Sequence, residues 1–147
     1  MILANFSIHC VPPTTTSQQK GVMVIAGKPR FFKKAKVRHA EEDLLSLLMP
    51  HAPKAPFQGP LKLTVTLVFP WRKTEKKSEL LRGVAPHFAR PDFDNLSKMI
   101  CDSMSRLGFW NDDGQVSDGR IAKRRGFDTG IAVTIETDDC YIIGDNP

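Results

Sequence analysis

The sequence predicts a single α+β domain built on a mixed, largely antiparallel sheet with two main helices. Three observations carry that expectation. Two segments repeat their apolar residues at spacings of three and four, the period of a helix with one buried face. Several others alternate or run apolar over the length of a strand. The resulting order is strand, hairpin, helix, strand, helix, strand, strand, over 147 residues, which is the size of one domain.

Residues 2–11 read as the first strand, with Phe6 and Ile8 alternating with Ser7 and His9, and Pro12-Pro13 ends it. Residues 14–20 form a polar loop. Residues 22–26 and 29–32 flank Gly27-Lys28 and predict a hairpin. Residues 33–49 predict a helix through Val37, Ala40, Leu44, Leu47 and Leu48, stopped by Pro50. Residues 50–60 hold four prolines and predict an ordered loop. Residues 61–69 are the clearest strand, with Leu61, Leu63, Val65 and Leu67 on one face. The charged stretch 72–82 predicts a short helix or a loop. Residues 93–107 predict a helix with a Leu96, Met99, Ile100, Met104 and Leu107 stripe, closed by Gly108. Strands over 115–124 and 130–137, joined by a turn near Gly126-Phe127-Asp128, complete the domain. The tail after Asp138 has no assignment.

Composition narrows the function classes. No apolar run reaches the roughly 18 residues that span a bilayer. Residues 1–10, MILANFSIHC, lack the basic segment and apolar run of a secretory signal. Cys10, Cys101 and Cys140 are too few and too scattered for a disulfide framework or a zinc site, so a reducing cytoplasm is expected. The net charge is +5, unevenly placed: residues 1–90 carry +10 and residues 91–147 carry −5. A basic body with one acidic locality fits phosphate-backbone binding combined with metal chemistry, and equally an unevenly charged solvated surface.

The informative stretch is residues 90–116, RPDFDNLSKMICDSMSRLGFWNDDGQV. Asp92 and Asp94 are two apart, which in extended chain turns both carboxylates to one side and Phe93 into the core. Asp94 or Asn95 can cap the helix that follows. Lys98 lies one helical turn beyond Asp94, on the polar face. Asp102 is eight residues from Asp94, about 12 Å along the axis, and cannot share a metal with it. Asp112-Asp113 follows the helix in a turn that can return one carboxylate to Asp92 and Asp94. Three such carboxylates suit Mg²⁺, with Mn²⁺ as a substitute. Each residue also has a plain reading: Asp94 as a cap, Lys98 as its ion-pair partner, Asp112 and Asp113 as turn residues, Asp102 as a surface or salt-bridge group.

Taken together these residues resemble the RusA family of Holliday junction resolvases of bacteria and prophages. The resemblance rests on Arg90-Pro91-Asp92-Phe93-Asp94-Asn95-Leu96-Ser97-Lys98, then a helix, then Asp112-Asp113-Gly114-Gln115-Val116, and extends to the basic strand at Lys123. Gly114 stands where the family often has Ser or Ala. The resemblance implies a homodimeric, Mg²⁺-dependent endonuclease that nicks four-way DNA symmetrically. It implies Asp92, Asp94 and Asp113 as catalytic metal ligands, Lys98 as the catalytic cation and Asp112 as a further candidate ligand. An inactive DNA-binding homologue and a less specific branched-DNA nuclease are the alternatives.

Three basic groups are candidates for DNA contact. They are Lys28, Arg30, Lys33, Lys34 and Lys36; Arg72, Lys73, Lys76 and Lys77; and Arg120, Lys123, Arg124 and Arg125, with Arg90 beside the motif. The aromatics Phe31, Phe32, Phe88, Phe109 and Trp110 are expected in the core or a dimer interface rather than between bases, and apolar residues left over once the core is built, with Phe109 and Trp110 as candidates, would form the interface. His9, His39, His51 and His87 show no metal-ligand spacing.

Overall fold

A computed structural model describes residues 1–16 and 20–139. Part of the expected 14–20 loop, Cys140 and the rest of the tail lie outside the described residues. The elements in order are β1 (Ile2–His9), β2 (Lys20–Ile25), β3 (Lys28–Lys33), α1 (Ala35–Leu48), β4 (Leu61–Pro70), α2 (Lys77–Leu80), β5 (Val84–Pro86), α3 (Phe93–Arg106), β6 (Val116–Gly126) and β7 (Gly130–Thr137). Single 3-10 turns occupy Met49–His51 and Asp113–Gln115.

Five strands form one mixed sheet in the order β1-β7-β4-β6-β5, and β2 and β3 form a separate hairpin. β4 runs parallel to β6 and antiparallel to β7. β4 takes the centre because it is the strand with an unbroken inward row: Leu61, Leu63, Val65, Leu67 and Phe69 are all buried. Against that row pack Ile131, Val133 and Ile135 of β7, Leu44 and Leu48 of α1, and Leu96, Met99, Ile100 and Met104 of α3. The two long helices therefore cover one face of the sheet. The turn at residues 126–128 does not make a hairpin of β6 and β7, since β4 lies between them.

β1 closes the sheet beside β7, and its Ile8 carbonyl would stand 2.4 Å from a Cβ at Gly130, so only glycine fits there. Gly108 ends α3 at φ 76°, as its position in the sequence predicts. Two features go beyond the sequence reading. β5 is an additional short strand on the edge of β6. Phe109 and Trp110 are 0% and 1% exposed, so both belong to the protomer's own core and not to an interface. Burial of these two large rings under the α3 C-terminus, with Trp110 Nε1 donating to Ser105 Oγ at 2.6 Å, leaves them nothing to offer a partner.

The hairpin stands apart. Ala26 and Gly27, at φ 51° and 73°, make its tight turn. Val22, Met23, Val24, Ile25, Phe31 and Phe32 are exposed along it. No helix among the described residues is long and apolar enough to cross a membrane.

Candidate active site

α3 starts at Phe93, as its apolar period predicts, so the chain from Asp92 to Asp94 is not extended throughout. Asp92 is its N-cap, with φ −64° and ψ 143°, and Phe93 is its first helical residue. Phe93 is consequently 55% exposed and does not enter the core, because each helical step turns the chain by about 100° rather than reversing it. Neither Asp94 nor Asn95 is the cap, and the Asp92 side chain makes no capping hydrogen bond. Asp92 and Asp94 thus sit at the positive end of the helix, where carboxylates and phosphate are favoured. Neither enters an ion pair among the described residues, and neither does Asp113.

Farther along the same polar face, Lys98 pairs with Asp102 at 3.4 Å, not with Asp94. Both side chains are about half exposed, so the pair is weakly held and its ammonium can turn to another anion. Asp113 shares a cleft with Asp102 and Arg106 of α3. Burial raises the Cys101 thiol pKa, and the charges of Asp113 and then Asp102 raise it further, against Lys98. A cleft of about 410 Å³ gathers Asp102, Asp112 and Asp113 with Arg106, Lys33 and Glu41.

The turn bearing Asp113 is fixed by its neighbours. Asp112 accepts from Gly114 N at 2.7 Å. Gln115 Oε1 accepts from Asn111 N at 2.9 Å, and its Nε2 donates to the Phe57 and Gly59 carbonyls at 3.1 Å. Asp112 is thereby occupied as the cap of the 3-10 turn, while Asp113 is left free. Gln115 was visible in the motif, but its bracing role needs the 57–59 loop, which is remote in sequence.

Among the described residues, no three His, Cys, Asp or Glu side chains are already grouped to hold a metal. The donor chemistry nevertheless suits a hard divalent ion. The free groups are all carboxylate oxygens, and Mg²⁺ is commonly held by one or two carboxylates with water and substrate phosphate completing its shell.

The segment leading into Asp92 is latched to β6. Lys123 Nζ donates to the Ala89 and Pro91 carbonyls at 2.7 and 2.6 Å, and His87 N donates to the Lys123 carbonyl at 3.1 Å. Burial lowers the Lys123 pKa, opposed by the nearby Asp92 carboxylate. Two of its three protons are committed to the loop, so Lys123 is not placed as a free phosphate contact. Neither the latch nor His87 was legible, since both depend on strand β6 lying beside residues 87–91. The other basic candidates remain at the surface: Lys28, Arg30, Lys34, Lys36, Arg72, Lys73, Lys76, Lys77, Arg90 and Arg120 are exposed. Lys33 is held by Glu41 at 2.9 Å. Arg124 and Arg125 are half-buried, donating to the Lys123 and Pro70 carbonyls.

His87 gives a pH prediction. Its pKa is lowered to about 4, first by burial, then by the charges of Arg125 and Lys123. The unfolded chain takes up a proton near pH 6.5 that the folded chain refuses until about 4. Stability from this group is therefore complete above pH 6.5 and is lost as pH falls toward 4, by about 2 kcal/mol at pH 5. Urea midpoints from pH 7.5 to 4.5 should show the decline, and His87→Asn should flatten it.

Relatives agree with the motif. The family model described as Endodeoxyribonuclease RusA matches residues 11–136. The chain is 33% identical over 104 residues to a protein named Crossover junction endodeoxyribonuclease rusA from Lactococcus phage r1t, covering 69% of this chain and 73% of the relative. It is 26% identical over 102 residues to Uncharacterized protein YqaN of Bacillus subtilis, covering 66% and 71%. A 38-residue stretch is 47% identical to Crossover junction endodeoxyribonuclease RusA of Escherichia coli K12, covering 26% and 32%. The chain belongs to the RusA endodeoxyribonuclease family.

Proposed function

We propose that this chain, acting as one domain over residues 1–147, is a cytoplasmic Mg²⁺-dependent endodeoxyribonuclease that resolves four-way DNA junctions by paired symmetric nicks. The observation that carries the reading is the set of unpaired carboxylates, Asp92 and Asp94 at the start of α3 and Asp113 on the turn that follows it, with Lys98 one helical turn beyond Asp94, inside a match to the family over residues 11–136. Asp92, Asp94 and Asp113 would hold the metal, and Asp112 serves mainly to fix the turn. When bound, Mg²⁺ (or Mn²⁺) polarises a phosphate oxygen and acidifies water. Lys98 releases Asp102 and meets the negative charge that develops on the phosphate. The exposed lysines and arginines neutralise the flanking backbone.

The test is cleavage of a mobile four-way junction beside a linear duplex of equal length, with and without Mg²⁺. Paired nicks in the junction alone, only with metal, are expected. Equal cutting of both substrates makes the chain a less specific nuclease, and tight binding without cutting makes it an inactive homologue.

Two matched nicks need two sites, and a two-fold homodimer supplies them. The β2–β3 hairpin supports a pairing surface: an isolated hairpin is marginal in water, and this one exposes apolar side chains along both strands. Sedimentation at micromolar concentration should give twice the chain mass of 16.4 kDa. Val22 and Phe31 are cross-strand partners, and Val22→Asp with Phe31→Asp should return the monomer mass. A wild-type monomer, free and on DNA, would overturn the dimer.

A further inference from the structure

The end of β4, the α2 turn and the segment after β5 enclose a second cleft of about 500 Å³, which shares no lining residue with the cleft at Asp112 and Asp113. Its lining brings together aromatic faces and cations. Phe88 is 95% exposed, more than any other large apolar residue among those described. It is not on a fraying tip: His87 N and the Ala89 carbonyl on either side of it are both hydrogen-bonded to Lys123. Trp71 is fixed edge-on against Phe127, with centroids 5.9 Å apart. Arg72, Lys76, Arg82 and Arg125 line the cleft against Glu75 and Glu79, leaving two positive charges in excess. Glu79 is already paired with Arg82, and Arg72 enters no ion pair among the described residues.

Two buried atoms in these walls lack hydrogen-bond partners, Trp71 Nε1 and His87 Nδ1. His87 is 5% exposed, and its Nε2 meets the Arg90 carbonyl at 3.1 Å. That contact assigns the hydrogen to Nε2 and leaves Nδ1 as an acceptor. Aromatic surface and unneutralised cations thus meet in the cleft, with one orphan donor and one orphan acceptor buried behind its walls. An anionic, planar group answers the aromatic and cationic surface.

We propose that this cleft receives one unstacked nucleotide of the DNA strand, its base against Phe88 and Trp71 and its phosphate against Arg72 and Arg125. The inference rests on the endonuclease reading and names a part of the DNA that reading leaves unassigned. Phe88 is four residues from Asp92, at most about 14 Å of extended chain. That is about four stacked nucleotides at ~3.4 Å each. Taking a nucleotide out of its stack costs least where stacking is already broken, as at the crossover of a four-way junction. The cleft thus favours branched over continuous DNA without reading its sequence.

The experiment uses the full-length chain in Ca²⁺, with Phe88→Ala and Arg72→Ala, both surface changes whose folding is checked by thermal midpoint. The probes are a (dT)10 strand followed by tryptophan fluorescence, a linear duplex, and junctions carrying 2-aminopurine at each nucleotide flanking the crossover. Wild-type protein should quench on (dT)10 and brighten 2-aminopurine at one position. Each variant should bind (dT)10 and junction roughly five-fold or more weakly, the effect of losing one base–aromatic stack or its anchor. Phe88→Ala should also abolish the 2-aminopurine signal while leaving duplex affinity nearly unchanged. No quenching by (dT)10, or variants that match wild type on (dT)10 and junction with the 2-aminopurine signal intact, overturns the proposal. If wild type never cuts junctions in Mg²⁺ yet the (dT)10 results hold, the endonuclease reading fails and the cleft stands.

Discussion

Asp94→Asn should abolish nicking, by roughly 10²–10³-fold or more, while junction affinity stays the same or tightens slightly. Asn keeps the size of the side chain but removes the charge that makes it a donor to a hard divalent cation. The same change removes a negative charge from the first turn of α3, where phosphate would otherwise be repelled. Asp94 makes no ion pair among the described residues, so folding loses nothing that would confuse the result. Single-turnover nicking in Mg²⁺ beside gel-shift binding in Ca²⁺ checks it. Wild-type cutting by Asp94→Asn would remove this carboxylate from the metal assignment. Loss of binding at every salt concentration, with the fold intact, would make the acidic strip part of the binding surface instead.

Lys123→Met should separate chemistry from binding in the same direction, for a different reason. The methionine fills the space but leaves the Ala89 and Pro91 carbonyls without their donor. The loop that delivers Asp92 then loosens. A displacement of ~1 Å at a reacting group costs on the order of 100-fold in rate. Unfolding free energy should fall by roughly 1–2 kcal/mol. Junction affinity should change by no more than about three-fold, because the ammonium is turned to protein carbonyls and not to phosphate. The discriminating readout is the Mg²⁺ concentration for half-maximal rate, which should rise if Asp92 is misplaced. A variant that binds junction weakly, with a flatter salt dependence and a normal rate at saturating DNA, would return Lys123 to the phosphate contacts.

Much of this site was legible because its information is local. The Asp92, Asp94 and Lys98 spacing, the helix that follows and the Asp112-Asp113 return all lie within residues 90–116. The apolar stripe of α3 determines which face is buried, and so which face carries Lys98. Phe93 was misjudged by a single-residue question, whether the chain at Asp92 to Asp94 is still extended or already helical. Periodicity cannot answer it, because both conformations accommodate the same residues until the hydrogen bonds are assigned. Whether Phe109 and Trp110 belong to the core or to an interface was left open by the sequence, because apolar character alone does not distinguish the two.

By itself the sequence determined the α+β class, the long helices, the strand at residues 61–69, the hairpin and the family to which the chain belongs. These follow from side-chain periodicity, turn residues and a contiguous motif, each settled within a few residues of chain. Only the tertiary structure decided that β4 separates β6 from β7, that Lys123 and His87 latch the loop before Asp92, and that Gln115 braces the Asp113 turn on residues 57–59. Strand order depends on which apolar row best fills the centre of the sheet. The latch and the brace are hydrogen bonds between groups 32 to 58 residues apart. Their partners are backbone carbonyls, which every residue has, so no side-chain pattern announces them.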